Sequence, residues 1–250
     1  MANILLGVTG SIAAYKAVDI ANILTKKGHD VRCILTDAAA KFVKSLSLQI
    51  VSKNKVYTDL FCEENPKEVT HIALSEWADM CFVTPASANT IAKIAYGFAD
   101  NLLTSTVLAL GDKQLVICPA MNTKMYQNQI TQENIEKLKK RNVIILGPET
   151  TDLACGSKGM GGLIKTKNFI QKFDDILYTK ANDFLKELVR KQNEKYYEIV
   201  ECSHDFDNGL MLIAYDDTNH NYEKYHICIN IDEPSSYEDV DIPYPYNQMK

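Results

Sequence analysis

The sequence predicts a doubly wound α/β protein, a parallel sheet flanked by helices, with a small β-rich appendage at its C-terminal end. Three observations predict it. Short apolar runs rich in β-branched residues alternate with longer amphipathic runs, the order of βαβ units joined by right-handed crossovers. Clusters of small and polar residues follow these apolar runs, at the strand ends where such sheets hold their ligands. The charge then changes sign. Residues 190–250 carry 13 Asp/Glu against 5 Lys/Arg, a net of −8, whereas the whole chain carries −5, which leaves +3 on residues 1–189. A boundary is therefore expected where a helical pattern ends, between a main domain of residues 1–189 and an acidic extension of residues 190–250.

Within the main domain, residues 4–8, 31–35, 80–83, 115–118 and 143–146 are short and continuously apolar. Such runs suit strands buried on both faces of a sheet. Residues 13–26, 87–95, 102–110 and 131–140 lie between them, with helical spacing and charged faces. In the extension, residues 196–202, 210–215 and 225–231 read as strands, the last with Ile227, Ile229 and Ile231 in alternation. Asn208-Gly209 and residues 216–219 separate them as turns, and the chain closes in a Pro/Tyr-rich coil.

With 46% apolar and 24% charged residues among 250, the composition is that of a globular protein with a substantial core. No apolar run approaches the roughly 20 residues of a membrane span. The N-terminal residues lack the basic stretch and cleavage site of a signal peptide. The seven cysteines show no repeated CxxC spacing, and Cys33, Cys81 and Cys118 fall inside strand-like runs. Buried free thiols in a reducing cytosol are expected, not a disulfide framework or a zinc site. The five histidines have no metal-ligand spacing, so no metal is expected. The net charge of −5 gives no support for nucleic-acid binding.

Gly7-Val8-Thr9-Gly10-Ser11-Ile12-Ala13-Ala14 closes the first strand and opens the first helix. Glycines allow a tight turn there, and amides plus the Ser11 hydroxyl at a helix start suit an anion such as phosphate. The run is not GxGxxG, no acidic ribose partner follows the second strand, and a plain serine-capped turn is the alternative. Pro85-Ala86-Ser87-Ala88-Asn89-Thr90 repeats the pattern after a later strand, either to bond a ligand or only to cap a helix. Residues 119–126 put Asn122 at another strand-to-helix turn. Leu153-Ala154-Cys155-Gly156, with Gly159, Gly161 and Gly162 behind it, reads as a glycine-rich lid presenting a thiol. An ordinary loop cysteine is the other reading. His71, ahead of the strand at 80–83, can act as a base near neutrality or be structural only. Two small, polar loops in one sheet suit a flat cofactor with a phosphate tail.

Together and in order, Thr9-Gly10-Ser11-Ile12-Ala13-Ala14-Tyr15-Lys16, residues 85–90, Gly97-Phe98-Ala99-Asp100-Asn101, residues 119–126 and Leu153-Ala154-Cys155-Gly156 form a joint signature. It resembles that of the flavin-dependent cysteine decarboxylases, most closely the stand-alone phosphopantothenoylcysteine decarboxylases of coenzyme A synthesis. The resemblance covers residues 3–180 and leaves out the acidic extension. It implies a flavodoxin-like or Rossmann-like domain that binds FMN, cytoplasmic, assembled as homotrimers or assemblies of trimers with sites shared between subunits. By position, Gly10, Ser11 and Ile12 would hold the FMN phosphate end. Thr36, Ser87, Ala88, Asn89, Thr90 and Ala120 would line the rest of the flavin. His71 and Cys155 match the family's catalytic histidine and flap cysteine, while Asn122, Met125 and Ala154 match its substrate contacts.

The implied reaction is decarboxylation of 4′-phosphopantothenoylcysteine to 4′-phosphopantetheine. An ordinary cysteine-derived carboxylate cannot lose CO2, because the carbanion left behind has nowhere to delocalise. Oxidation of the thiol-bearing carbon to a thioaldehyde places C=S beta to the carboxylate, so CO2 loss leaves an ene-thiol that is then reduced. His71 would serve as base or charge partner, Asn122 would orient the carboxylate or adjacent amide, and Cys155 would protonate the ene-thiol. Two alternatives stand beside this. Relatives that decarboxylate a peptide's C-terminal cysteine stop at the ene-thiol and need no such cysteine, so Cys155 favours the small-molecule substrate. A flavin-fold regulatory subunit binding a partner protein is the other, and the intact His71, Asn122 and Cys155 weigh against it. Tyr126 stands where many relatives have Trp, and Ser157-Lys158 where an acidic residue is common.

Overall fold

The computed structural model describes residues 2–62, 67–152, 156, 158–192, 197–205, 209–216 and 221–227, with side chains as far as residue 180 apart from that of Asp152. Six strands form one parallel sheet: β1 (Asn3–Val8), β2 (Asp30–Leu35), β3 (Val56–Tyr57), β4 (Met80–Ala86), β5 (Gln114–Pro119) and β6 (Ile144–Ile145). Their order is β3-β2-β1-β4-β5-β6. The chain winds outward from β1 through β2 to β3, then returns to the other side of β1 and winds outward again through β5. That reversal opens a crevice at the carboxyl ends of β1 and β4, where ligands of doubly wound sheets bind.

Burial explains why these runs are strands. All seven residues of β4 and five of the six in β1 are buried, as two-sided coverage by helices requires. The flanking helices are α1 (Lys16–Lys26), α2 (Ser45–Ser52), α3 (Thr70–Trp77), α4 (Ala88–Tyr96), α5 (Leu102–Leu108), α6 (Thr123–Gln127), α7 (Gln129–Lys139) and α8 (Thr166–Gln192). Side-chain caps set their starts. The Ser87 hydroxyl accepts from the Thr90 amide at the head of α4, and Asn101 with Thr104 forms a reciprocal capping box on α5. Gly97 ends α4 with a positive φ of 73°, its amide and that of Phe98 closing onto Ile94 and Lys93 carbonyls. Phe169 of α8 packs edge-to-face on Phe82 of β4, with ring centroids 5.4 Å apart. Cys33, Cys81 and Cys118 are buried free thiols as expected, and burial pushes each up to about 12.

The five strand runs read from the sequence correspond to β1, β2, β4, β5 and β6. The elements β3, α2 and α3 have no counterpart among the runs read from the sequence. The helix expected over 131–140 is α7, preceded by α6 and separated from it at Asn128, whose side chain caps α7 through the Ile130 amide. One expectation changes character. The glycine run behind Cys155 is not an open loop over its whole length, because Lys158–Gly162 forms strand β8, paired antiparallel with β7 (Glu149–Asp152).

The chain divides into two compact units, residues 1–172 and 173–250. In the second, β9 (Tyr197–Asp205), β10 (Gly209–Asp216) and β11 (Asn221–Ile227) form an antiparallel sheet with β10 in the centre. This is the β-rich appendage read from the sequence, with β11 beginning earlier than expected. Ile229 and Ile231 lie outside the described residues, as do Ala154 and Cys155. Among the described residues no helix is long and apolar enough to cross a membrane, and no cluster of His, Cys, Asp or Glu could hold a metal ion.

Candidate active site

Backbone hydrogen bonds join three strand-end loops and the β7–β8 hairpin into one rim. Thr9, buried just after β1, is the first link. Its hydroxyl donates to the Pro85 carbonyl at 2.7 Å and accepts from the Ser87 amide at 2.9 Å, while its own amide reaches the same carbonyl at 3.3 Å. The loop after β4 is tied in turn to the loop after β5, since the Ala120 amide donates to the Ala86 carbonyl at 3.0 Å. The Met121 amide then donates to the Gly161 carbonyl at 2.9 Å, which seats β8 on the turn that carries Asn122.

Glycine is required for that seat. A Cβ on Gly161 would lie 2.2 Å from the Met121 carbonyl oxygen, and one on Gly159 would lie 2.3 Å from Thr123 Oγ1. The run that reads as a flexible lid therefore serves close packing of strand against turn.

Beneath the rim lies a cavity of about 550 Å³, a volume suited to a small ligand or cofactor. Gly10, Ser11, Ile12, Ser87, Ala88, Ala120, Asn122 and Met125, all expected in the site, line it together. Small side chains at Gly10, Ala88, Ala120 and Gly162 leave room for a flat group. Within the lining, Ser11 caps the 3-10 turn Ile12–Tyr15, which runs directly into α1. The amides of Ser11 and Ala14 bond to the carbonyls of Thr9 and Ser11, and that of Ala13 to the Ser11 hydroxyl, which leaves the Ile12 amide for an anion such as phosphate. Asn122, also in the lining, caps α6, its Oδ1 accepting from the Lys124 amide at 2.9 Å. The cavity's size, its small-residue walls and its anion-suited end fit a flavin mononucleotide.

Three expected flavin contacts do not line this cavity. Thr36 closes β2 onto β1, its amide and hydroxyl both donating to the Val8 carbonyl, and it caps the following turn through the Ala39 amide. Thr90 is buried against its bond with Ser87, and Asn89 is exposed on the first turn of α4. His71, in the first turn of α3, lines a different cavity of about 530 Å³ with Leu60, Phe61, Ala99, Ser105 and Leu108. Its Nδ1 is buried there without a hydrogen-bond partner among the described residues. Met121, Thr151, Gly161, Gly162, Lys16 and Leu163 line the first cavity without having been singled out as site residues. Lys16 and Met121 lie in the Thr9–Lys16 and 119–126 runs, and Gly161 and Gly162 in the glycine-rich lid; Thr151 and Leu163 carried no local signal.

A crevice at the switch point of a doubly wound sheet, lined by both a glycine-serine helix-start turn and a capping amide, defines a nucleotide-cofactor-binding α/β protein. The chain belongs to the Flavoprotein family, whose model matches residues 1–177. It is 49% identical over 175 residues to a probable phosphopantothenoylcysteine decarboxylase of Streptococcus mutans, a match covering 70% of this chain and 98% of the relative. Bifunctional coenzyme A biosynthesis proteins also match, and the chain spans under half of their length, 41% for that of Bacillus subtilis. Among solved structures, the chain is similar to a PPC decarboxylase cysteine-to-serine mutant complexed with pantothenoylaminoethenethiol. The TM-score is 0.63 and the identity 32%, over 74% of this chain and 98% of that one. It is also similar to the FMN-dependent cysteine decarboxylase SpaF, with a TM-score of 0.58 and 29% identity over 64% of this chain and 90% of that one.

Proposed function

We propose that this flavoprotein decarboxylates 4′-phosphopantothenoylcysteine to 4′-phosphopantetheine, with FMN as cofactor, in the cytoplasm. The observation that carries this reading is the hydrogen-bonded rim, which gathers Gly10, Ser11, Ala120 and Asn122 around one cavity. The segment joining β7 to β8, which contains Cys155, starts and ends at strands whose Thr151, Gly161 and Gly162 line that same cavity. Catalysis is assigned to residues 1–189.

Bound FMN would supply the reversible two-electron step that makes the substrate's thiol-bearing carbon an electron sink for decarboxylation and afterwards reduces the ene-thiol to the saturated product. The chain's own residues do the rest. Asn122, held by its cap on α6, orients the substrate carboxylate, and Met125 forms the apolar wall beside it. The β7–β8 hairpin excludes water above the cavity. Cys155 delivers a proton to the ene-thiol carbon. His71 holds the proton exchanged at the substrate thiol, and it reaches the site from a neighbouring subunit of a homotrimer. Its separate cavity is walled by exposed Phe61 and Leu108, the kind of surface that a partner subunit covers.

The first test is product mass spectrometry with 4′-phosphopantothenoylcysteine. Wild type is expected to yield saturated 4′-phosphopantetheine, whereas Cys155→Ser yields the species two mass units lighter. Absence of CO2 loss by wild type carrying FMN would overturn the substrate assignment, and peptides ending in cysteine would then be tried.

A second test addresses the shared site. Equal amounts of inactive His71→Asn and Asn122→Asp subunits, mixed by co-expression, should recover about a quarter of wild-type activity, since random pairing leaves that fraction of sites with both native residues. Mixed oligomers without recovery would place His71 and Asn122 in one subunit's site.

A further inference from the structure

His71 stands in the first turn of α3, a helix of 8 residues that buries only Leu74 and Ser75. So little burial holds a short helix weakly, because packing of a buried face supplies most helical stability. Its head has no side-chain cap, the N-cap position being Val69. Its last turn, in contrast, is gripped from separate segments of the chain. The Lys113 ammonium, in the turn between α5 and β5, donates to the Ser75 carbonyl at 2.7 Å and to the Glu76 carbonyl. Asn3 Nδ2 of β1 donates to the Trp77 carbonyl at 3.0 Å. The Arg32 guanidinium of β2 lies 4.1 Å from the centre of the Trp77 ring.

The last carbonyls of a helix lack intrahelical donors and carry its negative partial charge, so a cation there is favoured both by hydrogen bonding and by the dipole. Lys113 is half-buried, and those two carbonyls are the only partners of its ammonium among the described residues. The grip reaches His71 through helix geometry. Residues four apart lie on one face, one turn above the other, and Ser75 follows His71 by that interval. A shift of the Ser75 peptide along or around the helix axis therefore carries His71 with it. The imidazole has no anchor of its own to resist this, since its Nδ1 is buried without a hydrogen-bond partner among the described residues.

We propose that Lys113 is a positioning residue for His71. By holding the Ser75 and Glu76 carbonyls it fixes α3, and so fixes where the imidazole stands in the cavity it lines with Phe61, Ser105 and Leu108. The catalytic consequence rests on the function proposed above, in which His71 holds the proton exchanged at the substrate thiol; the placement itself does not. Lys113 lines neither this cavity nor the one lined by Asn122 and Met125, so substrate binding should not depend on it.

The experiment compares wild type with Lys113→Met, which removes the donors and keeps a long stem, and with Lys113→Arg, whose forked guanidinium can donate to two neighbouring carbonyls. Steady-state kinetics uses FMN-loaded enzyme and 4′-phosphopantothenoylcysteine. NMR follows the ring Cε1–H signals of the 5 histidines, with that of His71 assigned by its loss in His71→Gln. Thermal unfolding records the stability of each variant. Lys113→Met is expected to lower kcat by about tenfold, a part of the roughly 100-fold that a misplacement of about 1 Å can cost, with KM changed by less than about twofold. The His71 signal should move beyond its linewidth, and Lys113→Arg should restore both signal and kcat. A lower melting temperature alone, with kcat within about twofold of wild type and the His71 signal unmoved, refutes the role and leaves Lys113 a helix cap. A fall in kcat with the His71 signal unmoved refutes it too. Movement of the signal without a fall in kcat keeps the placement and overturns the catalytic part assigned to His71. Should Lys113→Met fail to fold, Lys113→Gln, which keeps a neutral donor, is read by the same criteria. If wild type releases no CO2, the decarboxylase reading fails, and the NMR comparison by itself decides whether Lys113 places His71.

Discussion

Replacing Gly161 by alanine is expected to lower kcat/KM by about 100-fold, the scale of a small misplacement of positioned groups. The added Cβ would meet backbone on every side: 2.2 Å to the Met121 carbonyl oxygen, 3.2 Å to the Thr123 amide nitrogen and 3.3 Å to the Asn122 carbonyl carbon. None of these atoms can yield by rotating a side chain. The φ of +154° at Gly161 adds backbone strain for any residue with a Cβ. Either β8 lifts from the turn and loses the 2.9 Å bond from Met121 to Gly161, or the turn shifts and takes Asn122 with it. Both outcomes displace the hairpin and the amide relative to each other. Gly159→Ala should do less harm, since the atom in its way is the Thr123 hydroxyl at 2.3 Å, which a rotamer change can move. Steady-state kinetics and thermal unfolding of both variants check this. A Gly161→Ala enzyme with kcat/KM within twofold of wild type would show that the seat does not position the site.

Asn122→Asp should cost about 10³-fold in kcat/KM with little change in stability, whereas Asn122→Ala should cost both. The side chain has two ends with different tasks. Its Oδ1 accepts from the Lys124 amide at 2.9 Å and so caps α6. Aspartate keeps that acceptor and caps as well as asparagine, but it replaces the Nδ2 donor with a second anionic oxygen. A substrate carboxylate that a donor would attract then meets a like charge. Alanine removes the cap and should lose about 0.5–2 kcal/mol of stability in addition. Thermal unfolding separates the two effects, and kinetics reads the shared one. Full activity in Asn122→Asp would remove Asn122 from carboxylate recognition.

The capping around this crevice is legible in the sequence. Ser11, Ser87, Asn101 and Asn122 each precede a helix, and each caps it, because N-cap chemistry is a matter of a few neighbouring residues. The thiols inside strand-like runs are buried because a parallel sheet covers both faces of its strands. Thr36, Asn89 and Thr90 show the limit of such reading. A small polar residue after a strand can face a ligand or fold back onto the backbone, and Thr36 and Thr90 bond to Val8 and Ser87. Local sequence is the same in either case.

The sequence by itself determined the alternation of strands and helices, the places where loops emerge from the sheet and the acidic, β-rich character of residues 190–250. These follow from periodicity and from chemistry within a few residues, and each run carries its own signal. Only the tertiary structure decided which loops share a cavity. Thr9 reaches across 76 positions to bond Pro85, and β8 settles on the turn of Asn122 because Gly161 leaves room for its backbone and Gly159 for the Thr123 side chain. It also decided that His71 lines a cavity apart from Asn122 and that Lys113 grips the helix carrying His71. Those outcomes depend on strand order and on close approach between segments far apart in the chain, and no local pattern encodes either.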